Sequence, residues 1–236
     1  MRVECAHFSR QGRKGVNEDS VLSPFQFNGF WWAAVADGMG GRPGGGEASV
    51  AAVETVTAKV RAGLTDLTEL FAAAHTQLRE LALRAPALGS MGTTLSLLRF
   101  TNSAAEVGHV GDSRIYHLRG DGIVDRTVDQ TEVEQLVQQG VLSKARARRY
   151  PRRHILLSVL TPDKNYDLYQ SDFEIRSGDR LILLTDGASA KILRREVRDL
   201  SLATPHPKLF CDALALEIER RTPEDDCTAV CIDIKD

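Results

Sequence analysis

The chain reads as an α+β protein, with antiparallel sheets and helices packed outside them. Three observations predict this. The order of elements is strands, two helices, many strands, two helices and a strand, which is not the βαβα alternation of a parallel sheet. Two apolar runs flank Asn28-Gly29, a dipeptide suited to the tight turn of a β-hairpin. Later strands are punctuated by Gly-Asp pairs at Gly111-Asp112 and Gly120-Asp121, which break the chain between short extended runs.

Taken in order, Val3–Ser9 is a short strand of mixed polarity. Ser20–Phe27 and Phe30–Ala36 form the hairpin, and Asp37-Gly38-Met39-Gly40-Gly41 ends it abruptly. Glu47–Leu64 and Leu67–Arg84 are alanine-rich and periodic, and are predicted as helices. Thr93–Phe100, Ala105–Val110 and Ser113–Arg119 return to strand, and Thr131–Gln139 is a helix ended by Gly140. Tyr166–Ile175 and Arg180–Thr185 are strands, Ala188–Leu200 and Lys208–Arg221 helices, and Cys227–Ile234 a closing strand. With no linker, repeat or low-complexity run, residues 1–236 read as a single domain.

Composition narrows the function. A 42% hydrophobic and 26% charged chain can bury a sizeable core. Its net charge of −2 argues against bulk nucleic-acid binding. The amino-terminal stretch lacks the apolar core of a secretory leader, and the longest apolar run, Phe30–Ala36, is too short to span a bilayer, so a cytoplasmic protein without membrane contact is expected. Cys5, Cys211, Cys227 and Cys231 contain no CxxC and the histidines no HExxH. The cysteines are therefore expected to be reduced, buried thiols, and a zinc hydrolase of the HExxH type is disfavoured.

The chemistry gathers in aspartates at strand ends, several beside glycine: Asn17-Glu18-Asp19, Asp37-Gly38, Gly111-Asp112-Ser113-Arg114, Thr185-Asp186-Gly187 and Asp225-Asp226. A carboxylate at a strand end can enter a cleft while its strand stays buried, and an adjacent glycine permits a sharp turn and close approach of a carbonyl. Convergent carboxylates repel unless cations lie between them, and an all-oxygen site suits Mg²⁺ or Mn²⁺. Any one Asp-Gly is more often a turn, and Asp121-Gly122 is read as only that.

Six segments in this order resemble the type 2C (PPM) family of metal-dependent protein serine/threonine phosphatases, in its bacterial form. They are NEDS (17–20), VADGMGG (35–41), MGTTL (91–95), VGDSRIY (110–116), LLTDGAS (183–189) and DDCTAV (225–230). The likeness runs from about Arg13 to Ile234, and residues 129–142 resemble the stretch before the family's mobile flap, here about 129–164. The resemblance implies a four-layer αββα sandwich with a metal cleft at one end. It implies two Mn²⁺ or Mg²⁺ ions, with Asp112 and Asp186 sharing a third. Asp37 would bridge the two ions and the Gly38 carbonyl would bind one. Asp186 and Asp225 would complete one site, and Glu18 and Asp19 the other. Asp37 and Asp186 are thus the catalytic candidates. A water between the ions would attack phosphorus in line, hydrolysing phosphoserine or phosphothreonine.

Two positions depart from the family pattern. Its phosphate-binding arginine falls on Lys14, with Arg13 one residue earlier, so either residue is the candidate. Met39 stands where some members carry a histidine that can act as general acid, which leaves a metal-bound water as the preferred acid and His109 as a remote second. Lys144, Arg146, Arg148, Arg149, Arg152 and Arg153 form a basic run that is either a substrate contact or a solvated helix face. The expected partner is a phosphorylated protein, a cognate Ser/Thr kinase or its targets, acted on by a monomer. The competing readings are a phosphatase-fold module that only binds a phosphoprotein, and a phosphatase of small molecules.

Overall fold

A computed structural model of the chain describes residues 2–13, 15–41 and 43–236. Ten strands form two five-stranded antiparallel sheets. Strands β1 (Arg2–Arg10), β10 (Cys227–Lys235), β9 (Arg180–Leu184), β6 (Arg114–Arg119) and β7 (Gly122–Asp125) lie side by side in that order. The other sheet runs β2 (Asp19–Phe27), β3 (Phe30–Asp37), β4 (Leu95–Phe100), β5 (Ala104–Val110) and β8 (Tyr169–Glu174). Helices α1 (Gly45–Arg61) and α2 (Leu67–Arg84) cover the second sheet, and α6 (Arg194–Ala203) and α7 (Pro207–Arg220) cover the first.

Alternation along β3 explains the layering. Trp32, Ala34 and Ala36 face α1 and α2, where they meet Val56, Leu70 and Phe71. Ala33 and Val35 face the other way, into a core shared by the sheets with Leu98, Ile115, Leu183 and Val230. A strand buried on both faces must be apolar at every position, which is why Phe30–Ala36 reads as one continuous run. A third core of Tyr116, Ile182, Phe210 and Leu214 lies under α6 and α7, completing an αββα sandwich. The hairpin turn has φ of 49° at Asn28 and 80° at Gly29, the left-handed pair that a twisted two-residue turn needs.

Several boundaries differ from expectation. The run Ala188–Leu200 is not one helix. A single turn, α5 (Asp186–Ser189), is followed by a break, and α6 restarts at Arg194 because the Glu196 carboxylate accepts the Leu193 N–H at 2.7 Å and caps a new helix. The Asp121 turn leads into β7, a strand too short to show in the sequence. The strand predicted from Tyr166 begins at Tyr169. Between β7 and β8 lie α3 (Glu132–Gln138) and the one-turn α4 (Lys144–Ala147), capped by Thr131 and Ser143. All four cysteines are free; three are buried as expected, but Cys5 is exposed because it sits on an edge strand. No helix among the described residues is long and apolar enough to cross a membrane.

Candidate metal centre

The strand ends that carry the aspartates meet at one end of the sandwich. Asp19 opens β2 and Asp37 closes β3, and the two are register partners. In the other sheet Leu184 is opposite both Ala229 and Arg114. Asp186, Asp225-Asp226 and Asp112 therefore leave the same edge of their sheet. The sheets are joined there by hydroxyls: Thr185 Oγ1 donates to Asp19 Oδ2 at 2.9 Å, and Thr94 and Ser113 share a hydrogen bond of 3.1 Å. Thr94 Oγ1 also accepts the Asp37 N–H at 3.0 Å.

Close packing of backbone builds the loops around these acids. A Cβ on Gly38 would lie 2.3 Å from the Gly45 carbonyl oxygen, and one on Gly187 would lie 2.1 Å from that of Asp226, so only glycine fits at either position. The Gly38 N–H donates to the Glu18 carbonyl at 3.1 Å. The Glu18 side chain lies against the first turn of α1, where a Cβ on Gly45 would be 2.6 Å from Oε1. That places a carboxylate at the positive end of a long helix.

The electrostatics are those of crowded, half-dry carboxylates. Burial, followed by the charges of Asp186 and Asp19, pushes the Asp37 carboxyl well above the usual range, and Asp186 stands within hydrogen-bonding reach of it. Burial, Asp186 and Asp129 raise Asp112, with Arg114 opposing. Asp19 is raised to about 7, first by burial, against hydrogen bonds from Thr228 and Thr185. Its Oδ1 is buried without a hydrogen-bond partner. The same field and burial raise the Cys227 thiol to about 12. A divalent cation reverses this logic, because it favours the ionised form of every acid around it. Among the described residues no group of three or more His, Cys, Asp or Glu side chains is drawn together so that it could hold a metal ion as it stands. An open, all-oxygen arrangement suits Mg²⁺ or Mn²⁺, which keep several water ligands. The orphaned Asp19 oxygen and the mutually repelling Asp37 and Asp186 fit such ions.

The remaining sequence candidates are distributed around this cluster. Asp225 is half-buried, and its carboxylate accepts the Asp226 N–H at 3.1 Å. Arg13 is exposed on a turn whose N–H donates to the Glu224 carbonyl at 3.0 Å, one residue before Asp225. Lys14 lies outside the described residues. His109 is not a proton donor to the site. It is fully buried, with Nδ1 held by Ser96 and Nε2 by the Gly111 carbonyl, and burial lowers it to about 4. Met39 packs over Gly92 and is anchored by its N–H to the Gly92 carbonyl at 2.8 Å.

Asp226 has a role that the sequence reading did not assign. It is buried and accepts the N–H groups of Gly12 at 2.7 Å and Glu18 at 2.8 Å, tying the loop that carries Arg13 and Glu18 to the start of β10. The only sequence signal for it is the doubled aspartate before a strand. Arg114, beside Asp112, grips Asp129 with two nitrogens, Nε at 3.0 Å and Nη2 at 2.6 Å.

Comparison with known proteins follows the same lines. The sequence profile described as Protein phosphatase 2C matches residues 9–224. The serine/threonine protein phosphatase PstP of Mycobacterium tuberculosis is 33% identical over 178 residues, which cover 73% of this chain but 34% of that protein, so the chain spans about a third of its length. Protein phosphatase PhpP of Streptococcus pneumoniae is 30% identical over 209 residues, covering 84% of each chain. A crystal structure of the PstP catalytic domain in complex with two manganese ions superposes with a TM-score of 0.85 at 27% identity, over 99% of both chains. With its profile matched across most of its length and its fold shared with these phosphatases, this chain belongs to the protein phosphatase 2C family.

Proposed function

We propose that the protein is a metal-dependent phosphatase that hydrolyses phosphoserine and phosphothreonine on other proteins. The observation that carries this reading is the half-buried Asp37–Asp186 pair, two carboxyls within hydrogen-bonding reach at the meeting point of both sheets. Asp37, Asp186 and Asp225 would hold one ion of Mg²⁺ or Mn²⁺, and Asp37, Glu18 and Asp19 a second, with the Gly38 carbonyl binding one of the two; Asp112 with Asp186 is the candidate for a third. These ions, when bound, would supply positive charge to the phosphoryl oxygens and lower the pKa of water so that it can lose a proton and attack as hydroxide.

The chain's own residues orient and exclude. Thr185 fixes Asp19 by its hydroxyl, and Asp226 fixes the backbone of Glu18. Arg13, on the turn anchored at Glu224, or Lys14, next in sequence, holds phosphate oxygens as the ester enters. Cys227 is no nucleophile, because its thiol is buried at the start of β10 and offers the ester no approach. Neither Met39 nor the locked His109 can protonate the departing alkoxide, so that proton comes from water. We read residues 1–236 as one domain with a flap at about 129–164. Its substrates are a cognate kinase or that kinase's targets, and its free thiols are in keeping with a cytoplasmic setting.

The test is hydrolysis of an aryl phosphate and a phosphothreonine peptide with Mn²⁺ or EDTA, beside Asp37→Ala. Turnover that needs Mn²⁺ and vanishes in the variant is expected. A folded protein whose melting temperature rises with Mn²⁺ yet turns over neither substrate would instead be a phosphoprotein-binding module.

A further inference from the structure

Between Ser143 and Ile155 the chain carries Lys144, Arg146, Arg148, Arg149, Arg152 and Arg153 and no acid. All six cations are exposed. They do not form a helix face, since α4 is one turn and most of the run lies in the turns after it. Among the described residues only Arg152 of these has an acidic partner, Glu132 at 2.8 Å. Elsewhere arginines are routinely neutralised: Arg114 by Asp129, Arg119 by Asp179, Arg180 by Asp233, Arg221 by Glu196 and Glu217. Like charges this dense repel one another, so leaving five uncompensated costs stability and creates a local positive field.

The two ends of this segment are tied to the acids of the site. On entry, the Gln130 N–H donates to the Gly111 carbonyl and Gln130 Oε1 accepts the Gly111 N–H, both at 2.8 Å, one residue before Asp112. On exit, Leu160 and Thr93 exchange backbone hydrogen bonds of 3.0 Å, and the Thr93 hydroxyl donates to the Asp37 carbonyl. The cations are thus carried by a loop that starts and finishes at the rim of the carboxylate cluster. Three apolar side chains on the same excursion, Val141, Ile155 and Leu157, are also exposed.

We infer that the segment from Thr131 to Leu157 docks the acidic flank of the substrate phosphoprotein, so that phosphorylated residues beside Asp or Glu are preferred. This rests on the phosphatase reading above. A peptide of mixed acidic and apolar residues matches both the cations and the exposed aliphatic groups. Nucleic acid matches less well, since the one aromatic ring in the run, Tyr150, has its hydroxyl engaged with Glu132 at 2.9 Å, and stacking platforms are missing from the run.

The experiment compares two phosphothreonine peptides, identical except for aspartate or lysine flanks, and an aryl phosphate with no flank. The proteins are the intact chain and the Arg148→Glu/Arg149→Glu/Arg153→Glu variant. The wild type should favour the acidic peptide by about tenfold in kcat/KM, mostly through KM, at three exposed charge contacts of modest worth each. About 0.5 M NaCl should erase most of that preference. The variant should lose or invert it while hydrolysing the aryl phosphate at the wild-type rate. Equal use of both peptides by the wild type, or an unchanged preference in the variant, overturns the inference. Loss of aryl phosphate turnover in the wild type would strike the phosphatase reading alone. Anisotropy of the same labelled peptides reads docking without turnover, and tighter binding of single-stranded DNA than of the acidic peptide also overturns it.

Discussion

The carboxylate end of the sandwich and the arginine-rich excursion beside it each concentrate charge of one sign, and they carry it in opposite ways. The acids sit at the ends of strands packed on both faces, half-buried, with the backbones of Asp37 and Glu18 pinned by Thr94 and Asp226 and the Asp19 carboxylate by Thr185. The cations stand in turns, exposed, with one ion pair among six. Repulsion in the first region is held in place by the fold and can be answered by an ion of opposite charge. In the second it is dispersed into solvent and can be answered by a partner. Rigid placement suits coordination, whose geometry is demanding, whereas loose placement suits a diffuse attraction to many sequences.

The largest expected effect removes one acid from the rigid region. Asp37→Asn should cost at least about a thousandfold in kcat, as loss of a central charged group in a phosphoryl-transfer site does. It should also raise the melting temperature of the metal-free protein, because a buried repulsion is relieved. A variant less stable than the wild type without metal would break the contrast between the regions.

A second test uses pH. His109 is neutral in the fold, lowered from 6.5 to about 4 by burial. Its contribution is complete above pH 6.5 and is lost as pH falls toward 4, since between those values the unfolded chain binds the extra proton. The loss should reach about 3 kcal/mol at most. It is read as the difference in urea-unfolding free energy between wild type and His109→Gln across that range. An identical slope in the variant would remove His109 from the account.

The smallest effect concerns the tether. Asp226→Ala leaves the N–H groups of Gly12 and Glu18 without their acceptor and should destabilise by about 1–3 kcal/mol, with Asp226→Asn, which retains one acceptor oxygen, recovering part. If the tether positions the site, the alanine variant also raises KM for aryl phosphate at a temperature where it stays folded. A stability loss with unchanged kinetics would make Asp226 structural only.

What could be read in the sequence follows from where side-chain chemistry and backbone geometry coincide. The positions of Asp37 and Asp186 at strand ends were legible because each closely follows an apolar strand and precedes a glycine for which no other residue fits. The hairpin was legible because Asn-Gly demands a left-handed pair. Asp225 and Asp226 could not be separated, since only the placement of their carboxylates decides that the second accepts two backbone donors. The break between α5 and α6 was hidden because Ala188–Leu200 has no proline or glycine, and the stop is made by a side chain, Glu196, reaching back to Leu193. Strand β7 was hidden by its brevity. The run of arginines was visible, but that it is turn rather than helix depends on capping by Ser143 and the chain's return to Thr93.

The hydroxyl bond from Thr185 to Asp19 has a mechanical consequence. Between the sheets the core is of aliphatic and aromatic side chains, which attract without direction, and the other hydrogen bonds across the seam, Ser23 to His7 and Arg119 to the Glu174 carbonyl, do not involve the acids of the site. The site draws half its acids from each sheet, so it acts as a vernier, registering any slip between them. Thr185 and the Thr94–Ser113 pair are the dowels that hold that scale at zero. Enlarging a residue such as Val35 or Ile115, deep between the sheets, should therefore be felt first at the carboxylates, before the fold as a whole gives way.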